Sequence, residues 1–74
     1  MISLKQQQIL RIIWKKGSKA SIKDFVPSLF KYHSSFYRSF KGLEPYVRKQ
    51  KDKNGKNIFI LNLDGYFLAN LLER

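Results

Sequence analysis

The side chains with chemistry to offer in this sequence are mostly cationic. Stepped at about 100° per residue, Ser34, Arg38 and Lys41 cluster on one side of a helix, while Lys51, Lys53 and Lys56 crowd the segment around Asn54-Gly55. Arginine presents a planar fork that meets a phosphate or a guanine edge with two hydrogen bonds, and lysine delivers a compact point charge. Such a set recognises anions rather than making or breaking bonds. The plainer role for Arg38 is an ion pair with Glu44 or simple solvation, and for the lysines a charged surface that keeps the chain soluble.

Catalysis has little to draw on. The five carboxylates are scattered, there is no cysteine, His33 is the sole histidine, no glycine-rich phosphate loop exists, and no serine has an evident base. No enzyme activity, no cofactor and no metal site are expected. His33 reads as a loop residue or a phosphate donor, since a lone histidine lacks a partner that would make it a base.

The charge is unevenly spread. The 74 residues hold 15 Lys and Arg against 5 Asp and Glu, for a formal charge of +10. Residues 1–30 carry six cations and one acid, residues 31–56 eight cations and two acids, and residues 57–74 one cation and two acids. An excess of this size on a small surface attracts a polyanion, either nucleic acid or anionic lipid. The longest apolar run, Ile58 to Leu61, is far short of a membrane span, and no apolar stretch follows Met1. The expectation is a cytoplasmic chain with no membrane partner. With 43% hydrophobic residues it should fold, as one domain spanning residues 1–74. Frequent Lys, Ile and Asn with little Ala fits an AT-rich genome, such as an archaeal, viral or mobile-element source.

The elements that must carry these groups can be read from periodicity. Ser3 and Gln6 have capping-box spacing, and Ile9, Leu10 and Ile13 follow on one stripe, predicting a helix over 4–16 that ends at Gly17. Trp14, beside the stripe, reads as a packing residue. Ser21-x-x-Asp24 followed by Ile22, Phe25, Val26, Leu29 and Phe30 predicts a second helix that Pro27 kinks or delays. Ser34 or Ser35 caps a third, over about 34–44, with Phe36, Phe40 and Leu43 inward; Glu44-Pro45 ends it. Tyr46–Gln50 and Asn57–Leu63 read as strands joined at Asn54-Gly55 by a type I′ turn. Asp64 caps a last helix of about ten residues bearing Phe67, Leu68, Leu71 and Leu72. The order predicts an α+β winged helix-turn-helix: three helices, a two- or three-stranded β-hairpin wing and a C-terminal helix.

Ile2-Ser3-x-x-Gln6-x-x-Ile9-Leu10 resembles the opening Leu-Thr-x-x-Gln-x-x-Ile-Leu of the winged helix-turn-helix regulators of the MarR type. Ser34-Ser35-Phe36-Tyr37-Arg38 with Leu43-Glu44 is similar to that family's recognition-helix pattern, and Asp52-Lys53-Asn54-Gly55-Lys56, Leu63 and Gly65 to its wing and the start of the next helix. The resemblance implies double-stranded DNA binding in transcriptional regulation, commonly as a homodimer. It makes Ser34, Ser35, Tyr37, Arg38 and Lys41 the recognition-helix contacts and Lys51, Lys53 and Lys56 the wing contacts. The family's Gly-Leu-Val after Leu-Glu is shortened here to Pro45-Tyr46-Val47. The long terminal helices that wall its ligand pocket are missing, so no small-molecule ligand is expected.

Two other functions fit the same residues. An RNA-binding or ribonucleoprotein-assembly module would use Tyr32, Phe36, Tyr37 and Tyr46 as stacking surfaces. A protein-interaction winged helix would use the apolar last helix, which serves equally as a symmetric dimer interface or as the closing piece of a single core.

Overall fold

The computed structural model describes residues 2–73. The chain is a small α+β domain in which three α-helices pack on a three-stranded antiparallel sheet. Helix α1 (Leu4–Lys15) starts as its sequence dictates: the Gln6 N–H donates to Ser3 Oγ at 3.2 Å and the Ser3 N–H donates to Gln6 Oε1 at 2.8 Å. The Gln6 side chain has a second task, because its Nε2 donates to the Ser39 carbonyl at 2.9 Å and ties α1 to the segment that follows.

Strand β1 (Lys19–Ser21) comes next, in a segment with no alternation that would predict a strand. The expected second helix is absent. A single 3-10 turn (Ile22–Asp24) is followed by hydrogen-bonded turns through Leu29, because Pro27 has no N–H to continue an i→i−4 ladder. The Ser21-x-x-Asp24 pair still works locally: the Ser21 N–H donates to Asp24 Oδ2 at 2.9 Å. The apolar residues of this segment also reach their destination, with Phe25 and Phe30 buried and Ile22, Val26 and Leu29 packed beside them.

Helix α2 (His33–Phe40) begins before either serine proposed as its cap. Tyr32 holds the cap position without a side-chain hydrogen bond, and Ser34 and Ser35 lie in the first turn. The α-helix stops at Phe40, and Lys41–Leu43 continue as a 3-10 turn, so the element is shorter than the expected 34–44.

The hairpin pairs β2 (Val47–Lys51) with β3 (Asn57–Leu61), and β1 joins the far side of β3 to give the order β1-β3-β2. Its turn differs from the type I′ expected of Asn-Gly. Only Gly55 has a positive φ (80°) in the loop, the Gly55 N–H donates to the Asp52 carbonyl at 3.0 Å, and the Asp52 N–H donates to the Lys56 carbonyl at 2.9 Å. This is a type I turn closed by a left-handed glycine. The Asp52 carboxylate decides it by accepting the Asn54 and Lys56 N–H groups at 2.8 and 2.9 Å.

Helix α3 (Leu63–Leu72) is capped by Asn62, whose Oδ1 accepts the Gly65 N–H at 2.8 Å, rather than by Asp64, which lies in the first turn. Gly65 sits against the backbone carbonyl of Tyr46 with no room for a Cβ, which allows α3 to close on the start of β2. The core is aromatic: Phe36 stacks on Phe25 at 4.8 Å between centroids and meets Phe30, Phe40 and Phe59 within 5.8 Å. Ile9, Leu10 and Ile13 of α1 cover this cluster, with Trp14 partly buried beside them.

Candidate nucleic-acid interface

Helix α2 has two faces because Phe36 and Phe40 are drawn into the core. On the outward side Ser34, Arg38 and, one turn on, Lys41 are exposed. Arg38 does not pair with Glu44: among the described residues the ion pairs are Arg11–Glu73 at 2.7 Å and Lys16–Asp24 at 3.2 Å. Ser35 is half-buried on the flank. Because Tyr32 supplies no side-chain cap, no such acceptor occupies the first-turn N–H groups of α2, and a helix start in that state favours an anion.

Tyr37 points away from the Ser34–Arg38 row, toward the hairpin. Its ring packs on Phe36 at 5.1 Å and on Phe59 at 6.3 Å, and its hydroxyl oxygen accepts the Asn57 Nδ2–H at 2.7 Å. This bond ties α2 to β3. Strand register places Lys49 opposite Phe59 and Lys51 opposite Asn57, on the sheet face that meets α2. The Lys49 ammonium stands 5.6 Å from the Tyr37 ring centroid. A groove of about 410 Å³ runs between α2 and β2, lined by Tyr37, Phe40, Lys41, Glu44, Val47, Arg48 and Lys49.

The hairpin tip carries the other cations. Lys53 and Lys56 are exposed, while the Lys51 ammonium folds back to the Gly55 carbonyl at 3.4 Å. The two backbone N–H groups that Asp52 accepts, Lys56 first, hold its carboxyl below the ordinary value of 3.8, so the tip keeps one fixed negative charge among its lysines.

Comparison with known proteins finds no matching family model, no matching curated protein and no matching solved structure. The site is therefore read from its own geometry.

That geometry sorts the expected residues. Ser34 and Arg38 share the outward side of α2 with Lys41 exposed in the turn just after it, Lys53 and Lys56 share the hairpin tip, and Ser35 and Tyr37 flank the row from opposite sides. Lys49, Arg48 and Asn57 were not among the expected site residues. For Asn57 the signal was present in the alternation of β3, which puts it on the same face as Phe59 and Leu61. The stacking surfaces expected for RNA are mostly spent on packing: Phe36 is fully buried, Tyr37 and Tyr46 are half-buried, and Tyr32 alone of the four is exposed. Among the described residues no three His, Asp or Glu side chains converge as a metal site, and no helix is long and apolar enough to cross a membrane.

Proposed function

We propose that this chain is a winged helix-turn-helix domain that binds double-stranded DNA sequence-specifically as a transcriptional regulator. The observation that carries the reading is the pairing of an unpartnered polar and basic row, Ser34, Arg38 and Lys41, with a basic hairpin fastened to the same helix through Asn57 and Tyr37. An exposed helix face of this kind fits a major groove, and a hairpin beside it reaches the adjoining backbone or minor groove. The order α1, β1, turn, α2, β2, β3 with the sheet order β1-β3-β2 suits a winged helix whose first helix-turn-helix element is reduced to the 3-10 turn at Ile22–Asp24. Sequence choice belongs to Arg38 and its neighbours, and the hairpin lysines add affinity without choosing sequence.

The deciding experiment is fluorescence anisotropy of the chain with a pool of duplex DNA and with matched single-stranded RNA, each titrated across salt. Tighter binding to duplex, with a steep fall as salt rises, is expected. Preference for single-stranded RNA would replace this reading with the RNA-binding one.

A second surface favours a protein partner alongside DNA. Leu63, Tyr66, Phe67 and Leu71 of α3 are 71%, 45%, 57% and 63% exposed and recur at three-to-four-residue spacing, so they form one apolar stripe. Residues 57–73 contain no Lys or Arg. The lack of cations on α3 itself lowers the repulsion that a second copy of a +10 chain would meet there, which supports this stripe as the homodimer interface of the proposed regulator.

A further inference from the structure

The groove between α2 and the hairpin holds a hydroxyl with a spare proton. The Tyr37 oxygen accepts the Asn57 amide N–H at 2.7 Å, and an O–H cannot also donate toward that amide nitrogen. No other described group accepts the Tyr37 proton, which leaves it free to turn toward the groove that Tyr37 lines. The Lys49 ammonium stands over the same ring at 5.6 Å, and Lys41 lines the groove from the end of α2. Neither lysine is paired with a carboxylate among the described residues. Glu44 is the one acid among the lining residues. A neutral donor held in place by its neighbour, next to unpaired ammonium groups, is the equipment for one oxyanion.

We propose that this groove seats a backbone phosphate of duplex DNA, with the Tyr37 hydroxyl as its fixed donor, Lys49 as its charge and Asn57 as the residue that positions the hydroxyl. The proposal rests on the DNA-binding reading and changes one part of it: Tyr37 serves the phosphodiester chain passing between helix and hairpin, not a base edge. Asn57 suits the positioning role because it sits at the start of β3, paired with Lys51, where the sheet fixes its backbone. Its side chain makes no other hydrogen bond, since its Oδ1 is buried without a partner. The one hydrogen bond of the amide is thus the one to Tyr37.

Charge and hydrogen bonding can be separated by salt. Binding of a labelled duplex is measured for the unchanged chain and for Tyr37→Phe, Asn57→Val and Lys49→Met, with thermal unfolding of each. Tyr37→Phe removes a donor but no charge, so affinity should fall about tenfold for every sequence while the slope of log K against log salt stays unchanged. Lys49→Met should lower affinity and reduce that slope by about 0.9, one phosphate's worth of counterions. Asn57→Val breaks the same tie as Tyr37→Phe and should lose similar thermal stability, yet it keeps the hydroxyl and should lose only a few-fold in binding.

Equal binding by Tyr37→Phe and the unchanged chain overturns the phosphate seat. So does an equal loss in Tyr37→Phe and Asn57→Val, which would make the tie structural only, or an unaltered slope in Lys49→Met. If the unchanged chain binds no duplex, the DNA reading itself fails and the seat falls with it.

Discussion

Arg38 and Lys53 are both exposed cations, yet their surroundings give them different work. Arg38 stands on a helix face with Ser34 and has no carboxylate partner among the described residues, whereas Lys53 sits at the tip of a turn. Arg38→Ala should therefore cost about 1–3 kcal/mol on a preferred duplex and flatten the difference between preferred and scrambled sequences. Lys53→Ala should weaken both duplexes alike and lower the salt slope by about 0.9. Competition binding with the two duplexes checks this; an Arg38→Ala loss equal on both would remove Arg38 from sequence reading. Acid behaviour is also set by single residues. Asp52 is held below its ordinary value first by the Lys56 N–H, Asp24 first by the Ser21 N–H, and Glu73 first by the Arg11 side chain. A carboxylate depressed in the folded state contributes stability that is complete above its unfolded value and disappears as pH falls through the folded one. The thermal midpoint should thus be flat from neutrality to about pH 5 and decline below about pH 4. Asp52→Asn should decline less steeply over that acid range, and a midpoint that rises on acidification would contradict the assignment.

Elements here are decided as much by what they dock against as by their own patterns. Gly65 looks replaceable, since alanine in a helix is favoured over glycine by about 1 kcal/mol. Its Cβ would meet the Tyr46 carbonyl oxygen, which is backbone and cannot swing aside, so the sign reverses. Gly65→Ala should destabilise by about 1–3 kcal/mol in denaturant unfolding. Asn62→Ala should cost about 1 kcal/mol or more, because it removes the cap and also the bond from Asn62 Nδ2 to the Pro45 carbonyl at 2.7 Å. An Asp64→Ala variant should lose less than Asn62→Ala. The same contrast explains what could be read in advance. The start of α1 was legible because Ser3 and Gln6 bond to each other, so the signal is complete within four residues. The third strand was not, because Lys19–Ser21 has no alternation of its own and exists by pairing with β3 nearly forty positions away. The second helix failed where Pro27 outweighed an apolar spacing that the turns then satisfied without a helix. Of the site, the basic character of α2 and the hairpin was visible in the residue types. The Asn57–Tyr37 tie was not, since it joins two elements whose relative placement no local pattern encodes.

At the scale of the molecule, two surfaces respond to charge in opposite senses. The face built from α2 and the hairpin is rich in cations, and the α3 stripe has none within residues 57–73. Under the proposed function, DNA binding through the first should release counterions and weaken as salt rises. Self-association through the second would bring together two chains of +10, so salt should screen their repulsion and strengthen the proposed dimer, while the apolar contacts are little affected or improved. Sedimentation at increasing salt should therefore show a growing dimer fraction over the same range in which anisotropy shows DNA affinity falling. Phe67→Glu with Leu71→Glu should keep the fold, since both side chains are more than half exposed, and abolish the dimer. If the dimer places two copies of α2 one helical turn apart, roughly 34–36 Å, a palindromic duplex should bind the unchanged chain cooperatively and the double variant as independent monomers. A chain that stays monomeric at every salt concentration would remove α3 as the interface and leave each domain to read its site alone.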